Sequence, residues 1–99
     1  MPVQIIIDLH AQPGKGDALA RLFHELVPDT RACEGCVDCA VWRNREDADQ
    51  FFIVETFESR EVYDRYFAWR GGRGDLERLG ALLAAEPAMR MRFFDDIGA

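Results

Sequence analysis

The chain has 99 residues and a net charge of −6, which argues against a nucleic-acid phosphate backbone or an anionic membrane as its main partner. Its apolar fraction of 48 % is enough for a hydrophobic core and excludes a disordered chain. The length predicts one domain over residues 1–99, and because no apolar run approaches ~18 residues and no basic leader precedes the first strand, we expect a cytoplasmic protein without a membrane span.

The first half of the chain is predicted to form a strand, a helix and a second strand. Apolar side chains alternate over residues 3–10, as in a strand with one buried face. Residues 12–16 have the composition of a turn, after which Asp17 is predicted to cap a helix that Pro28 kinks near its end. The apolar stripe of this helix consists of Leu19, Leu22, Phe23, Leu26 and Val27. Residues 36–43 are predicted to form the second strand.

The second half of the chain is predicted to add two strands and two helices. Residues 50–57 form the third strand, and Ser59 caps a helix rich in aromatic residues that breaks at residues 71–72. Asp75 is predicted to cap a further helix, which Pro87 ends, and residues 88–94 form the last strand. The order β-α-β-β-α-(α)-β predicts a ferredoxin-like α+β fold, with a four-stranded antiparallel sheet and helices on one face.

The sheet face without helices is predicted to be apolar and dotted with charges. Ile6, Trp42, Phe94 and one face of the strand at residues 50–57 are expected there. Strands two and three are apolar on both faces, so which of their faces meets the helices stays open. A large apolar face on a monomer favours aggregation, and two copies packed face to face would cover it. The sequence therefore predicts a homodimer formed through this sheet face.

The three cysteines have the spacing of an iron–sulfur or zinc motif, C-x2-C-x2-C. Three residues along a strand separate Cys36 from Cys39, which should put them on opposite faces. There is no fourth cysteine, and neither His10 nor His24 is close in sequence. We therefore expect Cys33, Cys36 and Cys39 to be free thiols, with no metal site and no cofactor.

One acidic residue interrupts the apolar third strand. If Glu55 is buried it needs a partner, and Arg90 or Arg92 on the last strand is the expected one. The prediction is a structural role for this ion pair. His24, beside the apolar stripe of the first helix, is expected to be solvated, with general-base catalysis as the alternative.

Seven short segments have an order and spacing that carry a family resemblance. They are Pro13-Gly14-Lys15, Leu26-Val27-Pro28-Asp29-Thr30-Arg31, Glu34-Gly35-Cys36, Phe52-Ile53-Val54-Glu55, Phe57-Glu58-Ser59-Arg60-Glu61, Tyr66-Phe67-Ala68-Trp69-Arg70 and Pro87-Ala88-Met89-Arg90. Together they resemble the antibiotic biosynthesis monooxygenase-like domains of the dimeric α/β-barrel superfamily, over almost the whole chain. The resemblance implies a homodimer whose two sheets form a shared barrel.

The same resemblance implies a monooxygenase that oxidises a phenol, a quinol or a related aromatic molecule with molecular oxygen and without a cofactor. Other members of the superfamily degrade haem. That branch uses Asn, Trp and His at positions where this chain has Ile7, Tyr66 and Leu76, which argues against it.

A pocket for such a substrate would lie between the sheet and the helices. Tyr66 is the candidate catalytic residue, and the candidate substrate-binding residues are Phe23, Tyr63, Phe67, Trp69, Leu79 and Leu83. An aromatic stripe at helical spacing is more often plain core packing than a ligand site. The alternative function is therefore a non-catalytic dimeric module that binds a small hydrophobic ligand.

Overall fold

The computed structural model of the chain describes residues 1–85 and 89–99. The elements in chain order are β1 (Val3–His10), α1 (Gly16–Ala32), β2 (Cys36–Arg43), β3 (Gln50–Phe57), α2 (Arg60–Gly72), α3 (Asp75–Gly80) and β4 (Met89–Asp95). The four strands pair antiparallel in the order β2-β3-β1-β4, which confirms the ferredoxin-like α+β fold. The predicted break at Pro87 and strand start at Ala88 lie outside the described residues.

The helices pack on one face of the sheet, and the alternation in β1 predicts which face. Its residues Val3, Ile5, Ile7 and Leu9 are all buried against them. The register of β3 settles the face that the sequence leaves open, because Phe51, Ile53, Glu55 and Phe57 pair with these four residues and lie on the same side. Burial of each large apolar side chain contributes about 1.5–3 kcal/mol to folding. No helix within residues 1–85 and 89–99 is long and apolar enough to cross a membrane.

Helix α1 begins two residues earlier than predicted, with Lys15 and not Asp17 at its N-terminal cap position. The side chain of Asp49, in the loop between β2 and β3, accepts hydrogen bonds from the backbone N–H groups of Gly14 at 3.1 Å and Gly16 at 2.9 Å. Asp17 instead forms an ion pair with Arg43 at 2.9 Å. A cap supplied from 33 residues away satisfies the amide groups that a local side chain would otherwise bind.

A bulge in β2 overturns the prediction that Cys36 and Cys39 lie on opposite faces. The pairing with β3 shifts between Cys36 and Asp38, so that Cys36 stands opposite Phe57 and Cys39 opposite Glu55. Because both partners belong to the helix side of the sheet, both thiols do too. All three cysteines are free, and Cys39 is buried. Burial raises the pKa of the Cys39 thiol to about 12, which keeps it protonated at neutral pH.

The opposite face of the sheet carries the exposed apolar groups predicted for it. Trp42 is 57 % exposed, Phe52 41 % and Phe94 44 %. Two charges of this face pair within the chain, with Arg92 Nη2 2.6 Å from a carboxylate oxygen of Asp8. We call the surface formed by these side chains, together with Ile6 and Val54, the open sheet face.

The turn before β2 depends on Gly35, and we expect its replacement by alanine to be costly. Gly35 has φ +88°, and a Cβ there would overlap Cγ1 of Val62 on α2. The Gly35→Ala variant combines left-handed backbone strain with this clash, so we expect the free energy of unfolding to fall by about 2–3 kcal/mol. Urea titration measures it. Gly72→Ala, with open space around its Cβ position, should change stability by less than about 1 kcal/mol. Equal effects for the two variants would contradict the argument.

Candidate functional site

A cavity of about 70 Å³ lies between the sheet and the three helices. Its walls come from every element of the fold. The strands contribute Ile7, Leu9, Cys39, Val41, Ile53, Glu55, Met89 and Met91, and the helices contribute Phe23, Leu26, Val27, Thr30, Tyr63, Tyr66, Phe67, Arg70, Asp75, Leu76 and Leu79. The lining is mostly apolar, with a small set of polar groups on α1, α2, α3 and β3, which is the usual composition of a small-molecule pocket.

The cavity brings together most of the residues predicted for the site. Tyr66 lines it, as do Phe23, Tyr63, Phe67 and Leu79. Trp69 and Leu83 are not part of its described lining. The Trp69 ring is 40 % exposed and lies against the guanidinium groups of Arg70 and Arg73, whereas Leu83 forms an isolated bridge with Ala11.

Edge-to-face aromatic contacts fix the position of Tyr63 at one wall. Its ring centroid lies 5.2 Å from that of Phe57 and 5.5 Å from that of Phe93, with interplanar angles of 78° and 76°. The hydroxyl group lies 3.8 Å from the sulfur of Met91, and burial raises its pKa. Tyr63 is therefore a rigid, protonated wall residue, since contacts of this kind hold aromatic rings in place.

A buried arginine that the sequence analysis did not single out organises the polar end of the cavity. Arg70 on α2 is 3 % exposed and donates to four groups. Its Nε donates to Tyr66 Oη at 3.0 Å and its Nη1 to Asp75 at 2.9 Å. Its Nη2 donates to the Leu26 carbonyl oxygen at 2.6 Å and to Thr30 Oγ1 at 2.7 Å. The guanidinium fork thus ties α2 to both α1 and α3.

The same network corrects the prediction for Asp75. Gly74, with φ +81°, stands at the N-terminal cap position of α3, and the Asp75 carboxylate turns inward to Arg70. Arg73 also reaches it, at 3.2 Å. Asp75 is 2 % exposed, and a carboxylate this deep needs such partners because desolvation of an unpaired charge costs several kcal/mol.

The Tyr66 hydroxyl belongs to this network and keeps its proton. It lies 2.7 Å from Thr30 Oγ1 and accepts a hydrogen bond from Arg70. Burial, the largest cause, raises the pKa of Tyr66, although the hydrogen bonds that it forms with Arg70 and Thr30 lower the pKa in part. The group is a neutral phenol at physiological pH, able to donate a hydrogen bond and unsuited to accept a proton.

Glu55 is buried on the cavity side, and the predicted pairing with Arg90 or Arg92 is wrong. Arg92 pairs with Asp8 on the open sheet face, and Arg90 stands opposite Asp8 there. Glu55 is 4 % exposed, between Ile5 and Cys39 on the neighbouring strands. Among residues 1–85 and 89–99 no side chain forms a hydrogen bond or ion pair with its carboxylate.

The electrostatic consequence is a carboxylate that titrates near neutral pH. Burial raises the pKa of Glu55 from 4.5 to about 7, against a smaller lowering by the positive charge of Arg70. The burial of Glu55 follows from its position opposite Ile5, on the side of the sheet that faces the helices. The residue pattern of β3 is apolar on both faces, so the sequence alone did not show which face is buried.

The histidines lie away from this cavity. His24 is exposed on the outer side of α1, as expected, and His10 is exposed and 3.5 Å from Asp47 of the same chain. Over the described parts of the chain, no three His, Cys, Asp or Glu side chains are grouped so that they could hold a metal ion.

The model of one protein family matches the sequence over residues 2–70, and its description is antibiotic biosynthesis monooxygenase. The match begins before β1 and ends at Arg70, so it includes four of the polar cavity residues: Thr30, Glu55, Tyr66 and Arg70. No protein of curated function is similar enough in sequence to count as a relative.

Solved structures with the same fold come from several bacteria. The Pseudomonas aeruginosa protein PA3566 is 25 % identical, with a TM-score of 0.79 over 97 % of this chain and 94 % of its own. Rv0793 from Mycobacterium tuberculosis is 22 % identical, with a TM-score of 0.79 over 98 % and 96 %. A variant of SnoaB from Streptomyces nogalater, a cofactor-independent oxygenase, is 14 % identical, with a TM-score of 0.82 over 97 % and 93 %.

Proposed function

Because the chain belongs to the antibiotic biosynthesis monooxygenase family, we propose that it is a cofactor-independent monooxygenase that oxidises a small phenol, quinol or related aromatic molecule with molecular oxygen. The observation that carries the proposal is the cavity itself, an apolar space that reaches a neutral tyrosine hydroxyl at one end. The oxygenase activity of SnoaB, which shares the fold, gives it further support. We expect the protein to act in the cytoplasm, where its free thiols stay reduced.

The reaction needs no electrons from outside the substrate. A phenol with a hydrogen on the ring carbon opposite its hydroxyl reacts with one O₂ to give a quinone and one water. One oxygen atom forms the new carbonyl group, and the other leaves as water with the protons of the former O–H and C–H bonds. The ring supplies all four electrons, and the phenolate form transfers the first of them to oxygen most easily. The protein orients the ring and excludes water.

The size of the cavity favours a single-ring substrate. A buried water needs about 10–15 Å³, whereas a cavity of about 150 Å³ in an engineered core accommodates benzene. The volume here, about 70 Å³, lies between these values, so a ring enters only if side chains move. Met89 and Met91 line the cavity, and unbranched thioether side chains adapt most readily to a bound ligand.

Under this proposal, the aromatic and aliphatic walls hold the ring and Tyr66 orients it. Phe23, Phe67 and Leu79 supply apolar contacts, and Tyr63 forms the wall nearest β4. Tyr66 acts as a hydrogen-bond donor to the substrate oxygen that gains negative charge, for which it gives up its contact with Thr30. Donors fixed in a desolvated site stabilise developing charge strongly.

We expect the Tyr66→Phe variant to lose most of the oxygen uptake. Removal of a single hydrogen-bond donor to a developing oxyanion lowers turnover by roughly a hundredfold to a thousandfold. An oxygen electrode with a panel of phenols and quinols in metal-free buffer measures the rate above the autoxidation blank. Arg65→Gln, an exposed change one position earlier on α2, should retain full activity. No uptake above the blank with wild type, or equal rates in wild type and Tyr66→Phe, would contradict the proposal.

We also propose that the protein is a homodimer packed through the open sheet face. The exposed rings of Trp42, Phe52 and Phe94 support this, because a monomer would leave them in water. Static light scattering at micromolar concentration should give twice the mass of the chain. The double variant Trp42→Lys/Phe94→Lys should be monomeric, since like charges would meet across the two-fold axis. A monomeric wild-type protein would overturn the proposal.

The second candidate function is a non-catalytic module that binds a small hydrophobic ligand. The observation that favours it is the Tyr66 hydroxyl, which already has partners in Thr30 and Arg70 without any substrate. Binding without turnover would then be the result with every phenol tested. Ligand affinity that survives Tyr66→Phe, combined with no oxygen uptake, distinguishes this function from the first.

A further inference from the structure

Glu55 is a polar residue of the cavity with no part in the oxidation described above. The Glu55 carboxylate lines the cavity, and the residue is only 4 % exposed. Its neighbours across the sheet, Ile5 and Cys39, offer no strong hydrogen-bond donor. Within the described part of the chain nothing donates to it. A carboxylate in this situation is stabilised only by a proton, by water, or by a ligand that donates a hydrogen bond.

We propose that Glu55 is the group that binds the substrate hydroxyl and accepts its proton, and that the ligand class is a single-ring phenol or hydroquinone with a free O–H. The inference rests on the proposed function for the later oxidation, in which O₂ reacts with the phenolate. In the proton transfer itself, the substrate O–H bond breaks, its electron pair stays on the phenolate oxygen, and a new O–H bond forms on the carboxylate. No oxidant or reductant is needed.

The surroundings of Glu55 suit this role. Every charged or titratable group that lines the cavity with it lies on β2, α2 or α3: Cys39, Tyr63, Tyr66, Arg70 and Asp75. Cys36 on β2 is the remaining group whose pKa the Glu55 charge raises. Tyr63 and Cys39 stay protonated because burial raises the pKa of each. Arg70 is held by four acceptors, one of them the Asp75 carboxylate. Glu55 is therefore the group in the cavity that can change its proton occupancy near neutral pH, and a base of that strength suits a weakly acidic phenol.

The test compares a phenol with its methyl ether, which has the same ring and no proton to give. Isothermal titration calorimetry measures the binding of 4-methylphenol and 4-methylanisole to the full-length protein. At pH 8 wild type should bind the phenol roughly tenfold more tightly than the ether, as expected for a hydrogen bond to a charged acceptor. Glu55→Gln should remove most of this preference. Glu58→Gln, an exposed change three residues later, should leave it intact.

A second readout does not depend on any variant. A hydrogen bond from the phenol stabilises the ionised carboxylate and lowers its pKa, so wild type should release a fraction of a proton on binding near pH 7, and the ether should cause no release. Repeating the titration in buffers with different ionisation enthalpies gives this number. Equal affinities for phenol and ether, or no proton release, would overturn the assignment of Glu55. Phenol-selective binding without oxygen uptake would instead overturn the monooxygenase and leave Glu55 as the phenol acceptor.

Discussion

Replacement of Arg70 by methionine is expected to cost the protein about 3 kcal/mol of its free energy of unfolding. The guanidinium group is the shared donor for Tyr66, Asp75, Thr30 and the Leu26 carbonyl oxygen, and in the variant each of these groups loses a charged hydrogen-bond donor. Removal of one member of a buried ion pair typically costs about 3–5 kcal/mol. The lower end applies here because Arg73 still reaches the Asp75 carboxylate at 3.2 Å.

The matched control for this variant is Arg73→Met. Arg73 contacts the same carboxylate, but its side chain is 46 % exposed, so water solvates the charge of its guanidinium group. Exposed pairs contribute about 0–1 kcal/mol, so this variant should stay close to wild type in urea unfolding. The double variant Arg70→Met/Asp75→Asn should lose less than the sum of its single changes, because neither charge is then left alone. Equal losses for Arg70→Met and Arg73→Met would show that the buried network does not hold the helices together.

The second large effect is a pH dependence of stability that Glu55→Gln removes. The folded protein holds the Glu55 proton with a pKa of about 7, against the ordinary 4.5. Between these two pH values Glu55 binds more protons in the folded state than in the unfolded state, so its contribution to stability is largest at low pH and falls as the pH rises through this window. At 1.36 kcal/mol for each pKa unit, the loss approaches ~3 kcal/mol by pH 8.

The measurement is urea unfolding of wild type and Glu55→Gln at several pH values from 4.5 to 8. The stability of the variant relative to wild type should rise by ~3 kcal/mol over this range, because the amide has no charge to bury. The other carboxylates titrate in both proteins and cancel in the difference. Glu58→Gln, exposed to solvent, should give a difference that does not vary with pH. A flat difference for Glu55→Gln as well would mean that the carboxylate is solvated or paired.

Much of the fold can be predicted from local patterns in the sequence. The ranges of β1, β2 and β3 agree with the prediction, because β-branched and aromatic residues between turn residues are typical of strands. Ser59 caps α2 as predicted, with its Oγ accepting a hydrogen bond from Val62 N at 3.2 Å. A side chain that bonds three residues ahead on the same helix depends on nothing distant, so it can be predicted from sequence.

The predictions that are wrong concern residues whose position depends on a contact with another segment of the chain. A single extra residue in β2 reverses the side-chain alternation, and it moved Cys36 to the same face as Cys39. The cap of α1 comes from Asp49, far away in the sequence, which no local rule detects. Asp75 had the composition of a helix cap, but the buried charge of Arg70 attracts it more strongly.

The candidate site was predictable in its apolar part and not in its polar part. Five of the seven predicted residues line one cavity, since an aromatic stripe that packs against a sheet is visible in the sequence. The roles of Glu55 and Arg70 could not be predicted from the sequence, because each depends on which face of its strand or helix is buried. Charged residues are usually exposed, so burial of these two had to be observed in the structure.

Isotope labelling shows whether the protein transfers one oxygen atom from O₂ to a phenol. The protein is incubated with a single-ring phenol or quinol under ¹⁸O₂ in metal-free buffer, and the product is reduced at once to prevent exchange of its carbonyl oxygens with water. We expect a product heavier by one ¹⁸O atom, formed faster by wild type than by Tyr66→Phe. Product without the label, or labelled product at the same rate in the protein-free blank, would overturn the proposed monooxygenase.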